Sequence, residues 1–89
     1  MSSVEEQTQY KVQLLLHVNS LLLQRAMRPD VSAASFLKRI HANLQCISQL
    51  NQGNPAARPM ILDPPPEAPQ DILAKLYLLM ARVFEIWSV

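Results

Sequence analysis

Three stretches of the chain alternate apolar and polar residues with the period of an α-helix. The clearest covers residues 32–52 and closes on Gly53, a residue suited to the position that follows a helix. One face of this helix is polar, Arg39 lies at its boundary, and the opposite face carries the large apolar side chains Phe36, Leu37, Ile40, Leu44, Ile47 and Leu50. Because such a helix cannot stand alone in water, the pattern predicts that neighbouring segments cover its apolar face.

A first helix is predicted over residues 5–27, preceded by a frayed N-terminus at residues 1–4. Its apolar residues spread over more than half of the circumference, and its only clean polar strip is Gln13, His17, Ser20 and Gln24. A surface helix needs a narrower apolar stripe, so this helix is expected to touch neighbours on at least two sides.

The break between these two helices is short. Pro29 disfavours helical backbone at Arg28, and Asp30 or Ser32 then offers an N-cap oxygen for the second helix. A connection of a few residues makes consecutive helices antiparallel neighbours, so the first two helices are expected to form a hairpin. In that hairpin, Asn19 lies level with Ile40.

A proline-rich connector is predicted over residues 53–68, because six of the seven prolines lie between Gly53 and Pro69. Extended chain of this length reaches further than a helix, so the third helix can run in either direction relative to the second. Within the connector, Met60, Ile61 and Leu62 are expected to pack in a groove between helices. The alternative is that they remain loose or bind a partner.

The third helix is predicted over residues 69–87, with Pro69 at its first position and Asp71 in its first turn. About half of its circumference is apolar, and Leu78 is an exposed apolar residue on the charged side. Trp87 lies in the last turn, where a monomer usually frays. A large aromatic side chain at this place suggests an anchor for another molecule.

The composition of the chain indicates that it binds a partner. The chain has 89 residues, of which 49% are hydrophobic and 17% charged, so it can form one small all-α domain of three helices with apolar surface left over. A partner helix is therefore expected to complete the bundle. The net charge of +1 is spread along the chain, which makes nucleic acid an unlikely direct ligand. The lone cysteine and the absence of a signal-peptide pattern or a membrane-length apolar run indicate an intracellular protein without membrane spans.

No catalytic, cofactor or metal site is expected. The candidate ligands His17, His41 and Cys46 have no acidic residue at helical spacing, and there is no glycine-rich phosphate loop. His41 is interpreted as a histidine at the edge of the core, and Cys46 as a small residue at the flank of the surface.

Two asparagines are interpreted differently, because Asn19 and Asn43 lie inside apolar faces and come within about one turn of each other in the hairpin. They can bond across the hairpin, present their amides together to a polar group on the partner and so set its register, or simply be solvated. Helices 1 and 3 are expected to supply the partner-facing surface. Its candidate anchors are Leu15, Leu22, Tyr77, Phe84 and Trp87.

The blocks YKVQLLLHVNSLLLQRA, FLKRIHANLQCISQLNQG and DILAKLYLLMARVFEIW closely resemble the smallest accessory subunit of fungal SWI/SNF chromatin remodellers. The resemblance runs from about Glu5 to Trp87. A fainter one, to the N-terminal homology region of the SSXT (synovial sarcoma translocation) family, rests on Asn19 to Leu22 and on Ile40 to Leu44.

The first resemblance implies a nuclear, non-enzymatic scaffold that binds the N-terminal region of the remodeller's catalytic ATPase. Two alternatives stay open on the residues alone. The chain can form a homodimer whose copies cover each other, or it can act as an adaptor that binds an activation-domain peptide between helices 1 and 3.

Overall fold

Three α-helices and no strand occur in the part of the chain that the computed structural model describes, residues 3–66 and 70–88. They are α1 (Val4–Ala26), α2 (Ala34–Asn51) and α3 (Ile72–Ile86). The predicted all-α fold with three helices is confirmed. The predicted start of the third helix at Pro69 lies outside the described residues, as do residues 1–2 of the predicted frayed segment.

Helix α1 begins earlier than predicted because its first turn is capped. The Glu6 amide donates to Ser3 Oγ at 3.1 Å, and the Ser3 amide donates to Glu6 Oε1 at 3.2 Å. This reciprocal capping box satisfies two N–H groups that the helix itself cannot bond. The prediction of fraying is therefore wrong for Ser3 and Val4, and the Ser-x-x-Glu pattern in the sequence was the signal for the cap.

The two ends of α2 differ in how they are capped. At its N-terminus neither predicted cap, Asp30 nor Ser32, is used; Ala33 occupies the N-cap position, without a side-chain hydrogen bond. At its C-terminus Gly53 has a φ of +93°, its amide donates to the Leu50 carbonyl, and the Asn54 amide donates to the Gln49 carbonyl. This pair of bonds is a Schellman motif, which confirms the predicted role of the glycine.

Helix α1 is antiparallel to both of its neighbours. Asn19, in its second half, contacts the Ile40 carbonyl in the first half of α2, as the predicted hairpin requires. Arg25, near the end of α1, forms an ion pair of 3.0 Å with Asp71 at the start of α3. Lys11, near the beginning of α1, donates to the Trp87 carbonyl at the end of α3. Helices α2 and α3 are therefore parallel to each other, a point that the sequence left open.

The proline-rich connector runs back along α2, which explains how parallel helices are joined. Its beginning is held by Lys11, whose Nζ donates to the Pro55 carbonyl at 3.0 Å. Further along, the Arg39 guanidinium donates to the Asp63 carbonyl and carboxylate, each at 3.0 Å, and to the Pro64 carbonyl at 3.1 Å. The connector is thus tied first to the N-terminal half of α1, through Lys11, and then to the N-terminal half of α2, through Arg39.

Packing by the connector differs in part from the prediction. Leu62 packs against the core, whereas Met60 is 86% exposed. The side chains that the connector does bury are small or cyclic, namely Ala57, Pro59 and Pro65. The predicted groove packing of the apolar triplet is therefore confirmed for Leu62 and wrong for Met60.

The buried face of α2 is rotated relative to the predicted one. Leu37 and Leu44 are 49% and 50% exposed, although they were expected in the core. Arg39, Ala42 and Cys46 are buried in their place, on the side of the helix that faces the connector. A buried arginine is tolerated here because carbonyl and carboxylate oxygens of the connector, together with Ser35, accept its N–H groups.

Replacing Asp71 tests how α3 is attached. Its carboxylate accepts the Leu73 amide at 2.9 Å and pairs with Arg25, and these two contacts, the first the larger, lower the pKa of Asp71 below 3.8. We expect Asp71→Ala to lower the free energy of unfolding by about 1 to 2 kcal/mol in urea titrations at pH 7. Asp71→Asn, which keeps an N-cap acceptor, should cost less than half of that.

The pH dependence follows from the direction of the shift. A carboxyl group with a lowered folded pKa contributes stability at neutral pH, and this contribution is lost as the pH falls through that pKa. The difference in stability between the wild type and Asp71→Asn should therefore shrink toward zero in acid, below pH 3.8. A difference that stays constant from pH 7 into acid would contradict the assigned role of the carboxylate.

Candidate partner-binding site

A buried polar cluster joins the three helices, with Asn19 from α1, Asn43 from α2 and Tyr77 from α3. Asn43 Nδ2 donates to Asn19 Oδ1 at 2.8 Å, and Asn19 Nδ2 donates to the Ile40 carbonyl at 3.4 Å. Since a carbonyl can only accept, Ile40 fixes the orientation of the Asn19 amide and turns its oxygen toward Asn43. The predicted hydrogen bond across the hairpin is present.

Tyr77 extends this cluster to α3. Burial raises the pKa of Tyr77, and the neighbouring Asn43 amide opposes that shift. The Tyr77 hydroxyl and Asn43 Oδ1 are both buried, and neither completes a hydrogen bond among the described residues. The contact of Asn43 with Tyr77 therefore lies close to, but outside, hydrogen-bond geometry, and the one strong bond of the cluster is the one within the hairpin.

A buried cation, Lys11, forms a second connection among the segments. Besides its bonds to the Pro55 and Trp87 carbonyls, its Nζ lies 5.4 Å from the centre of the Phe84 ring. Burial lowers the pKa of Lys11, and the nearby Cys46 opposes that shift. Because Trp87 is the C-cap of α3, the ammonium also meets the negative end of the helix dipole. The sequence signal was a single lysine at the centre of the apolar arc of α1.

Four of the five predicted anchors are core residues. Leu15, Leu22, Tyr77 and Phe84 are each at most 1% exposed, because the aromatic face of α3 packs directly on α1. With no exposed surface, they have nothing to offer a partner in this conformation, which corrects the expectation that they face one. Trp87 is half-buried and packs edge-to-face against Tyr10, with ring centres 5.5 Å apart.

The remaining candidate side chains are also placed by the structure. Cys46 is 1% exposed, which corrects its assignment to the surface flank. His41 is exposed and does not reach the edge of the core, and His17 is exposed as well. Among residues 3–66 and 70–88, no three His, Cys, Asp or Glu residues gather in a group that could hold a metal ion. No helix in the same part of the chain has the length and apolar character to cross a membrane.

Helix α3 has two apolar faces, and only one of them is fully buried. The inner face, Leu73, Tyr77, Met80 and Phe84, is buried. The other, which we name the outer α3 face, consists of Ile72, Leu76, Leu79, Val83 and Ile86. Its residues follow one another at alternating spacings of four and three, the heptad pattern of helices that pack on a partner helix.

The outer α3 face is accessible along its whole length. Ile72 is 49%, Leu79 37% and Ile86 69% exposed, and Leu76 and Val83 are half-buried beside α1. The antiparallel packing places the half-buried Leu21 of α1 level with Leu76. The outer α3 face and this edge of α1 thus form one continuous apolar surface.

A second apolar surface, the hairpin face, lies on the sides of α1 and α2 that point away from α3. Leu16 and Leu23 of α1 are each 51% exposed, and Leu37 and Leu44 of α2 are 49% and 50% exposed. In the register that pairs the two asparagines, Leu16 lies opposite Leu44 and Leu23 lies opposite Leu37. This surface is smaller than the outer α3 face: each of its helices contributes two exposed leucines seven residues apart, whereas the outer α3 face has five apolar positions over four turns.

Comparison with known families now identifies the group to which the chain is related. A family model described as SNF11 SWI/SNF complex component matches residues 5–87. The chain belongs to this SNF11 family. The match covers all three helices and the connector, so the polar cluster and both apolar surfaces lie within the region that defines the family.

One relative shows the same relationship at the level of a single protein. The chain is 51% identical, over an alignment 115 positions long, to the transcription regulatory protein SNF11 of Saccharomyces cerevisiae. The alignment covers 98% of this chain and 68% of the yeast protein. The resemblance drawn from the three sequence blocks is thereby confirmed, and the chain is an SNF11-family component of SWI/SNF complexes.

Replacing the two asparagines singly and together tests whether they act as a pair. We expect Asn19→Leu and Asn43→Leu each to lower the free energy of unfolding by about 1–3 kcal/mol, because each leaves the other buried amide without its partner. The double variant should be less destabilised than the sum of the two. Chemical unfolding followed by circular dichroism measures all three, with Tyr77→Phe as a control that removes a hydroxyl without a hydrogen bond.

The pair is coupled only if the effects fail to add. A coupling energy within about 0.3 kcal/mol of zero, in a cycle with both single variants folded, would mean that the two amides act independently. In that case the bond across the hairpin would not be a source of register.

Proposed function

We propose that this SNF11-family chain is a non-enzymatic accessory subunit of a SWI/SNF-type chromatin-remodelling complex in the nucleus. In this role it takes part in transcription regulation by binding a helical segment from the N-terminal region of the catalytic ATPase. Family membership and the yeast relative, a transcription regulatory protein, support the place in the complex. The observation that carries the binding role is the outer α3 face.

Ile72, Leu79 and Ile86 of the outer α3 face are exposed and are surplus to the chain's own core. The inner face of α3 is buried on α1, and the ends of α3 are already held by Asp71 and by Lys11. An amphipathic helix that binds in a groove uses apolar anchors at spacings of three, four and seven residues, and this face offers the matching set. We therefore place the ATPase segment along the outer α3 face, against the edge of α1 that carries Tyr10 and Leu21.

The reactive side chains of the chain favour a binding role over catalysis. Burial raises the pKa of the Cys46 thiol to about 11, so at neutral pH this thiol is protonated and a poor nucleophile. Lys11 is enclosed and bonded to two carbonyls, which leaves it no room to act on a substrate. Both groups are enclosed by the fold, whereas the large apolar residues Ile72, Leu79 and Ile86 of α3 are exposed.

Paired truncations of the two apolar surfaces test the proposal. We expect the double variant Leu79→Ala with Ile86→Ala to weaken binding of a purified ATPase N-terminal fragment at least ~10-fold by calorimetry, since buried aliphatic anchors dominate such interfaces. The matched control is Leu37→Ala with Leu44→Ala, which removes similarly exposed leucines from the hairpin face. It should change the affinity less than ~3-fold.

Circular dichroism and urea unfolding must first show that both double variants keep the wild-type fold. An inverted result, in which the hairpin-face variant loses binding and the outer-face variant keeps it, would move the site to the other surface. Absence of binding by the wild-type chain would refute the proposed ATPase contact itself.

A further inference from the structure

We propose that the helix bound on the outer α3 face carries acidic side chains at heptad spacing along one edge, where they meet Lys75 and Arg82. This inference rests on the proposed binding role and adds the chemistry of the partner. It follows from where the two cations lie, from the absence of any partner for them within the described residues, and from the low net charge of the chain.

Lys75 and Arg82 form a straight basic edge beside the outer α3 face. They are seven residues apart, and on the helical projection each lies about 40–60° from Leu79. Leu76 and Val83 lie at about the same angles on the opposite side of Leu79, toward α1. The apolar strip is thus bounded by α1 on one side and by two cations on the other.

These two cations are available to a ligand. Both side chains are exposed, and neither forms an ion pair or hydrogen bond with a described residue. Three of the other basic residues are used internally: Lys11 bonds two carbonyls, Arg25 pairs with Asp71, and Arg39 pairs with Asp63. Lys75 and Arg82 make no such contribution to the fold.

The position of these charges selects the partner's chemistry. In packed helices, the residues that flank an apolar heptad strip choose the partner, because like charges repel and opposite charges attract across the boundary. A bound helix with acidic residues seven apart would meet both cations at once, whereas a basic helix would meet repulsion at both. The net charge of the chain is only +1, so the molecule as a whole attracts an acidic helix weakly. A preference for an acidic helix therefore has to come from the local pair of cations, Lys75 and Arg82.

Two designed peptides provide a direct probe. Both form a three-heptad helix with leucine at the apolar positions; one carries glutamate and the other lysine at the flanking positions. We expect the glutamate peptide to bind the wild-type chain at least ~10-fold tighter than the lysine peptide at low salt, with the ratio falling as salt is raised.

Charge reversal locates the effect on the chain. Lys75→Glu with Arg82→Glu should abolish or invert the preference for the glutamate peptide. The charge-matched control, Lys38→Glu with Arg58→Glu, changes exposed residues of α2 and the connector by the same total charge and should keep the preference.

The outcomes separate this inference from the proposed function. Equal affinity for the two peptides, no binding of either, or a preference that survives Lys75→Glu with Arg82→Glu would overturn the acidic-edge assignment, whatever the ATPase fragment does. If the chain prefers the glutamate peptide as expected but does not bind the ATPase fragment, the site for an acidic helix stands and the ATPase is the wrong partner.

Discussion

We propose that the hydrogen bond from Asn43 to Asn19 is the contact on which the arrangement of the helices depends. Apolar contacts are non-directional, whereas a buried amide needs one particular position in which its hydrogen-bond partner is present. In this proposal the bond, together with the short turn at Pro29, holds the register of α1 and α2 and, with it, the surface that the pair offers to α3. Helices α2 and α3 do not pack backbone to backbone, so Tyr77, next to Asn43, is where α3 meets the polar centre of the hairpin.

Two buried cations complete the core around that centre. Lys11 joins α1 to the start of the connector and to the end of α3, and Arg39 joins α2 to the later part of the connector. Both donate hydrogen bonds to main-chain carbonyls. Without these donors, the carbonyls would lie at the core unbonded, because the connector has no regular secondary structure. These contacts hold the three helices and the connector together without the exposed residues of the outer α3 face. We therefore connect that face with a partner.

Much of the fold could be predicted from the local pattern of apolar and polar residues. Which residues are buried and which remain exposed to a partner could not. The hairpin register followed from the short turn at Pro29, and the meeting of Asn19 with Asn43 followed from the register. The burial of Arg39 and Cys46 depends on the path of the connector, which no periodicity reveals. Leu15 and Phe84 were assigned to a partner because α1 and α3 have wide apolar arcs, and only the packing shows which side of each arc the chain covers itself.

Solution NMR of the free chain tests the central claim most directly, because it observes the Asn43 side-chain amide itself. The account predicts slow hydrogen exchange for one Asn43 Nδ2 proton and nuclear Overhauser effects linking this amide to Asn19 and to the ring of Tyr77. Exchange at the rate of an unstructured amide, with no Overhauser effect between Asn43 and either residue, would show that the polar cluster does not hold the helices together.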